Sequence, residues 1–290
     1  MTCYHPIPAY QDKAGDELRL WPPVGTANLN IPCGGCLGCK TTHATDWARR
    51  AEHEASQWEH NSFVTLTYDD EHLPKEGNLD RQALAKFLKR LRRLRDRNPH
   101  LLRFNPRRGL RYLACGEYGE RNGRPHYHLL IFNCGFADLK MKTPDLGESP
   151  TLAKLWDLGT HTIGAVTGAS ANYVAQYTLK KQGSTYADPD GVVKTAPFLR
   201  MSLKPAIGTD WIASYKKDLT HGYLVTNGTK GRVPRAYRQQ LQKTDPQLAE
   251  QIAYASEKNR PRRMDNLRAS EIIHTRRLEL ARMAKRGNPL

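Results

Sequence analysis

The stretch Gly116-Glu117-Tyr118-Gly119-Glu120-Arg121-Asn122-Gly123-Arg124-Pro125-His126-Tyr127-His128-Leu129-Leu130-Ile131-Phe132 decides how the chain is read. Arg111 to Glu117 and His126 to Phe132 read as two strands, and Asn122-Gly123 between them is a strong hairpin signal. With those two residues at the centre of a tight turn, Arg121 pairs with Arg124. Glu117 then falls opposite His128, with His126 diagonal to it. Alternate residues of a strand share a face, so Glu117, His126 and His128 converge. Two imidazoles and one carboxylate suit Mn²⁺ or a similar divalent cation, or Mg²⁺ with waters in the open positions. A two-residue slip in the turn is expected to spoil this register. Alternating histidines that merely decorate a strand are the plain alternative.

Downstream, Ser170 to Gln182 reads as a helix, with Ser170 as N-cap and Gly183 just past its end. At ~100° per residue, Tyr173, Tyr177, Lys180 and Lys181 fall within an arc of about 100°. Ala171, Val174, Ala175 and Thr178 take the opposite side and can face a core. Two phenols and two ammonium groups on one face suit covalent attack on phosphorus, with lysine holding the phosphate or favouring the phenolate. The commoner fate of tyrosines four apart is amphipathic packing.

The remaining elements are a helix from Thr41 to about Ser56, a strand over Ser62 to Tyr68 and a helix from about Asp80 to Arg97. Leu84, Phe87, Leu88, Leu91 and Leu94 form the apolar stripe of that second helix. Short helical and strand segments follow at Leu152 to Trp156 and Gly159 to Val166, then a loop over 183–195. One helix is expected from Pro234 to about Ser256, and a basic helix near Ala269 to Lys285. Strands and helices do not alternate regularly, so an α+β fold around an antiparallel sheet is expected. The expected organisation is a Cys-rich segment with its helix over 1–60, a catalytic core over 61–185 and a basic, partly helical region over 186–290.

Lys plus Arg number 45 against 29 Asp plus Glu, a net charge of +16. This balance points to a polyanionic partner, most often nucleic acid. Lys89, Arg90 and Arg93 on the second helix and Arg124 in the hairpin are candidate phosphate contacts, although a solvated face explains such a run equally well. No stretch approaches the ~18 apolar residues of a membrane span, and the N-terminus lacks an apolar signal core. The expectation is a soluble protein that is not secreted. Cys33, Cys36 and Cys39 form C-x2-C-x2-C, which suits structural Zn²⁺ closed by a fourth ligand from Cys3, His5 or His43. An iron–sulfur cluster and free thiols in a glycine-rich turn are the alternatives. Cys115 and Cys134 read as small core residues.

His126-Tyr127-His128 followed by Tyr173, Tyr177 and Lys181 resembles the HUH endonucleases that start rolling-circle replication. Phe63-Val64-Thr65-Leu66-Thr67-Tyr68 looks like that family's first motif strand. With Cys33 to Cys39 and the stretch ending at Pro74, the pattern over roughly residues 1–205 is similar to replication initiators of small single-stranded DNA phages, the gokushovirus branch of the microviruses above all. The resemblance implies an antiparallel HUH core with flanking helices. It also implies a metal-dependent nick of the viral strand at the origin, through a 5′-phosphotyrosine. One tyrosine starts the round, the second closes the circle, and no ATP is needed. The partners implied are single-stranded or supercoiled origin DNA in the cytoplasm of a bacterial host, with host helicase and polymerase. The sequence leans slightly to Tyr177 as the first attacker, because it lies four residues before Lys181. A non-catalytic basic DNA-binding or packaging protein, and an HUH relaxase or transposase, are the competing readings.

Overall fold

The structure, a computed structural model, describes residues 3–13, 16–119, 122–176, 185–187, 191–226 and 228–259. The chain divides into two compact units, Met1–Ala44 with Asn259–Leu290, and Thr45–Lys258. In the first, β1 (Ile7–Tyr10), β2 (Arg19–Leu20) and β3 (Leu29–Ile31) form a small antiparallel sheet in the order β2-β1-β3. Helix α1 spans Leu37–Ala55, one turn earlier than the sequence pattern suggests.

The second unit continues with β4 (Asn61–Tyr68), α2 (Arg81–Arg97), β5 (Leu102–Arg103), β6 (Arg111–Tyr118), β7 (Pro125–Phe132), β8 (Gly135–Phe136), β9 (Lys140–Met141), β10 (Leu146–Glu148), α3 (Pro150–Leu155), β11 (Gly159–Gly164) and α4 (Gly168–Gln176). Beyond α4 come β12 (Thr185–Ala187), β13 (Val193–Thr195), β14 (Phe198–Met201), α5 (Thr209–Tyr215), β15 (Tyr223–Thr226), β16 (Thr229–Arg232), α6 (Arg235–Thr244) and α7 (Pro246–Lys258). Seven strands make one antiparallel sheet in the order β14-β6-β7-β4-β11-β10-β9. The fold is therefore α+β, as expected. No helix among the described residues is long and apolar enough to cross a membrane.

Period-2 alternation sorts the residues of this sheet. Val64, Leu66, Tyr127, Leu129, Ile131 and Ile163 point to one face, where they pack with Leu84, Phe87, Leu88 and Leu91 of α2 and Leu152 and Leu155 of α3. Asp80 caps α2 by accepting the Gln82 N–H at 2.6 Å. On the opposite face Leu113, Leu130 and Phe132 are fully buried, and α4 packs across β6 and β7 with Ala171, Val174 and Ala175 inward. Gly116 belongs to the first face. An added Cβ there would lie 2.8 Å from the Phe198 ring, so the β6–β14 pair closes only around a glycine.

Several sequence expectations need correction. The expected helix over Pro234–Ser256 is two helices, because Pro246 has no amide proton and its ring blocks continuation of α6. The cap of α4 is Thr167 rather than Ser170. Thr167 Oγ1 accepts the Ser170 N–H (3.2 Å) while Ser170 Oγ accepts the Thr167 N–H (2.8 Å), a reciprocal capping box. The expected loop over 183–195 contains the paired strands β12 and β13. The strand at Gly159 stops at Gly164, not Val166. The basic helix expected near Ala269 to Lys285 lies outside the described residues.

The hairpin register also differs. Glu117 pairs with His126, and Cys115 with His128. Gly119 donates its N–H to the Arg124 carbonyl at 2.9 Å, and Gly123, at φ +57°, donates to the Gly119 carbonyl at 2.9 Å. The turn is thus wider than two residues and the pairing slides by two. A slip of two keeps every side chain on its own face, so the convergence of the three groups survives.

A satellite core of Ile212, Leu219, Leu224, Val233, Tyr237, Leu241 and Ile252 closes the C-terminal part of this unit. His53 of α1 stacks on Trp211 at 3.7 Å, and its Nδ1 lies 3.0 Å from the Tyr237 hydroxyl. Burial, aided by the charge of Arg49, pushes its pKa from 6.5 down to about 4. The unfolded chain therefore takes up this proton first. The stability from neutral His53 is complete above pH 6.5 and is lost as pH falls toward 4, by about 3 kcal/mol at most. Urea unfolding across that window should show this loss in the wild-type protein and a flatter profile in His53→Asn.

Candidate active site

Strand β7 presents His126 and His128 to the same face, and β6 brings Glu117 beside them. Glu117 Oε1 lies 3.0 Å from His126 Nε2 and 2.9 Å from His128 Nε2. The outer nitrogens are held as well. His126 Nδ1 sits 3.1 Å from the Arg124 carbonyl, and His128 Nδ1 sits 3.0 Å from Thr65 Oγ1 on β4. A carbonyl only accepts, so His126 Nδ1 donates to it, which leaves Nε2 as the nitrogen that faces Glu117. Burial holds the His128 imidazole below its ordinary value, against the hydrogen bond to the Glu117 carboxylate that raises it.

Two imidazole nitrogens and one carboxylate oxygen thus converge on one point, where a cation would take the place of the hydrogen bonds among them. Two imidazoles and a carboxylate are the donor chemistry of a divalent transition metal or Mn²⁺, and each imidazole is oriented from behind as ligating histidines usually are. Glu117 is 3% exposed and His128 7%, so the ligand set is largely removed from water.

Helix α4 lowers Tyr173 onto this cluster. Its hydroxyl donates to Glu117 Oε1 at 3.2 Å and lies 3.3 Å from His128 Nε2. The ring meets His128 edge-on at 4.9 Å. Phe63 stacks against His128 at 5.8 Å and touches the Tyr173 ring edge-on at 6.3 Å, walling the site on the β4 side. Tyr173 is nonetheless 41% exposed as a residue, although its hydroxyl is turned onto Glu117 and His128. Tyr177, Lys180 and Lys181, the other residues of the expected catalytic face, lie outside the described residues.

The four candidate phosphate contacts are scattered. Lys89, Arg90 and Arg93 sit on α2, across the sheet from the histidines. Arg90 is engaged with Asp157 at 2.8 Å. Arg124 adjoins the site, but its guanidinium is tied to Asp70 (2.7 Å) and to the Tyr68 carbonyl (3.1 Å). Thr65 and Phe63 were missed as site residues. Their signal was present in the alternation of β4, since both lie on the face opposite Val64 and Leu66, the face shared with the histidines.

In the first unit, Cys3, Cys33, Cys36 and Cys39 bring their sulfurs within 4.8 Å of one another. Cys3 is thus the fourth member of the set, and His5 and His43 are not part of it. Cys36 and Cys3 Sγ lie 3.9 Å apart, close to the ~3.8 Å between sulfurs around a tetrahedral Zn²⁺. Backbone N–H groups of Cys33 and Tyr4 donate to the Cys3 and Cys36 sulfurs, both at 3.3 Å. Burial, with the Cys3 thiol beside it, pushes the Cys39 thiol far above its ordinary value, a cost that a bound cation would relieve. Cys115 and Cys134 are fully buried, as expected of core residues.

The family model for the replication-associated protein ORF2 matches residues 61–182, which include Glu117, His126, His128 and Tyr173. The chain is similar to Replication-associated protein VP4 of Bdellovibrio phage phiMH2K, 37% identical over 257 residues, covering 85% of this chain and 79% of the relative. It is similar to Replication-associated protein ORF2 of Spiroplasma virus 4, 37% identical over 206 residues, with 63% of this chain and 62% of the relative covered. Replication-associated protein ORF4 of Chlamydia phage 1 is 30% identical over 237 residues, with 78% and 57% covered. The chain thus spans less than two thirds of the second and third relatives. No solved structure matches it.

The hydrogen bond between Thr65 Oγ1 and His128 Nδ1 makes a separable prediction. Thr65→Val keeps the shape of β4 and removes the group that orients the imidazole. Mn²⁺ affinity, measured by titration calorimetry, should fall by about 10–100-fold with the fold intact.

Proposed function

Because the chain belongs to this family of phage replication-associated proteins, we propose that it initiates rolling-circle replication by nicking and rejoining a single DNA strand at a viral origin. The observation that carries this reading is the Tyr173 hydroxyl, held 3.2 Å from Glu117 Oε1 and 3.3 Å from His128 Nε2. A half-exposed phenol against a buried ligand set is costly decoration for a binding protein and a natural arrangement for a nucleophile.

In the proposed step the Tyr173 oxygen attacks the scissile phosphorus. The new bond joins that oxygen to the 5′ phosphate, and the bond from phosphorus to the 3′ oxygen breaks. The phenol proton leaves along the contact to Glu117 Oε1, and the departing 3′ oxygen takes up a proton to become the hydroxyl a polymerase extends. Glu117, His126 and His128 would hold a divalent cation, Mn²⁺ or Mg²⁺. When bound, that cation polarises the phosphate and stabilises the charge developing on its oxygens. Phe63 shields His128 from water, while Thr65 and the Arg124 carbonyl fix the two rings. The phosphotyrosine conserves the energy of the broken bond, so the reverse transfer ligates without ATP. Tyr177 is assigned the closing transfer, with Lys180 and Lys181 available to the phosphate. Tyr173 is proposed as the first attacker on its contacts to Glu117 and His128; the slight sequence preference for Tyr177 rests on its spacing to Lys181, and both lie outside the described residues. The partners are viral origin DNA and, from the host, helicase and polymerase, in the cytoplasm of the bacterium.

Incubation with labelled origin single strand and Mn²⁺ should give a covalent adduct that survives denaturation. Tyr173→Phe should lower its yield in the first transfer by at least about a hundredfold, the scale of losing an activated nucleophile, while Tyr177→Phe should form the adduct and fail to circularise. An unchanged adduct in Tyr173→Phe would reject the assignment, and no adduct with the wild-type protein would favour a non-catalytic DNA-binding role.

The four cysteines are assigned a structural Zn²⁺. The purified protein should carry one equivalent of zinc that Cys36→Ser loses. Removing it with a chelator should lower the unfolding temperature without abolishing Mn²⁺ binding at Glu117, His126 and His128.

A further inference from the structure

We infer that a second, basic cleft at the far end of β6 holds the phosphate backbone of the single strand on which the active site acts. The inference rests on the DNA-transfer reading above. Arg111 and Glu117 lie on the same face of β6, six residues apart, which is about 20 Å at ~3.4 Å per residue. At the Arg111 end opens a cleft of about 590 Å³. Its lining carries five cationic side chains, Arg92, Arg107, Arg108, Arg111 and Lys204, against one carboxylate, Asp210.

The charges are disposed to meet an extended anion. Arg107 and Arg108 precede β6 on one wall, and Lys204 stands on the segment after β14. Arg92, Arg107 and Lys204 are exposed and make no ion pair among the described residues. Arg108 reaches Asp210 only at 4.0 Å. Arg111 forms the floor, its side chain 7% exposed and 3.2 Å from the wholly buried Glu54. Its Nη2 donates to the Ala206 carbonyl. Its Nη1 lies 3.7 Å from Asp210 and has no hydrogen-bond partner among the described residues. A buried guanidinium nitrogen with donor capacity to spare, beneath a ring of exposed cations, favours an anionic ligand.

The cleft is too roomy for one phosphate ion, and its charges flank an open channel. Trp58 and Tyr112 stand half-buried in its walls, with the Arg92 guanidinium 5.6 Å over the Tyr112 ring. Cations that track a backbone beside rings that stack on bases are the elements of a single-strand site. Such a cleft gives the DNA a second anchor at the end of β6 away from Glu117, so the nicked end stays bound while the circle is copied.

The test compares two oligonucleotides, one covering only the nicked position and one running well past it on both sides. In the variant Arg92→Gln, Arg107→Gln, Arg108→Gln, Lys204→Gln, the affinity for the long strand should fall and its dependence on log salt should lessen by about 3, at ~0.7 per lost phosphate contact. Adduct formation on the short oligonucleotide should keep its wild-type rate. Lys204→Glu alone, a change on an exposed side chain, should repeat the pattern in smaller measure if the fourfold variant does not fold. Unchanged long-strand affinity and salt slope would overturn the inference. So would an equal loss on the short oligonucleotide, or a loss confined to duplex DNA of the same sequence. Failure of the wild-type protein to form any adduct would instead overturn the proposed function, and the binding comparison would still report on the cleft.

Discussion

Burial of Tyr127 holds the site in place. Its ring is wholly enclosed, edge-on to Tyr68 and Trp156 at 5.9 and 5.7 Å. Its hydroxyl donates to the Asp80 carbonyl at 2.6 Å and meets the Tyr68 hydroxyl at 2.8 Å, so a buried polar group that would otherwise cost several kcal/mol is satisfied. These contacts lock β7 against the start of α2. With Tyr127 committed to that face, His126 and His128 can only emerge on the other. The histidine pair is thus oriented from the far side of the sheet.

On the functional face the governing effect is electrostatic. A carboxylate and two imidazoles are held at close quarters, with water largely excluded. Thr65 and the Arg124 carbonyl prevent the rings from turning away. Tyr173 is packed against this cluster by the small buried residues of α4. The rest of the chain carries an excess of cations. They are distributed unevenly, because Arg90 and Arg124 are spent on internal ion pairs while Arg92, Arg107 and Lys204 remain open to solvent.

How much was legible follows from the range of each interaction. The strands at Ser62, Arg111 and His126, the helix capped by Asp80 and the inward face of α4 could be read from periodicity. Each signal repeats within a few residues. The cap of α4 could not, because Ser170 occupies the third position of a reciprocal box and looks like a cap in isolation. The break at Asp245-Pro246 was legible in principle, since proline announces it, and was overridden by an apolar pattern that runs through both helices. The hairpin slip depended on Gly123 taking a left-handed conformation within a wider turn, which Asn-Gly chemistry alone does not specify.

Strand alternation is a local, steric property, so the order of residues is enough to say which of them share a face. The grouping of Glu117, His126 and His128 and the inward side of the tyrosine helix follow from it. Three placements do not: Tyr173 resting on Glu117 and His128, Cys3 joining Cys33, Cys36 and Cys39, and Arg92 and Lys204 flanking one cleft. Each is long-range, set by how helices pack across the sheet and how loops close. No local spacing encodes the distance between elements that the core brings together.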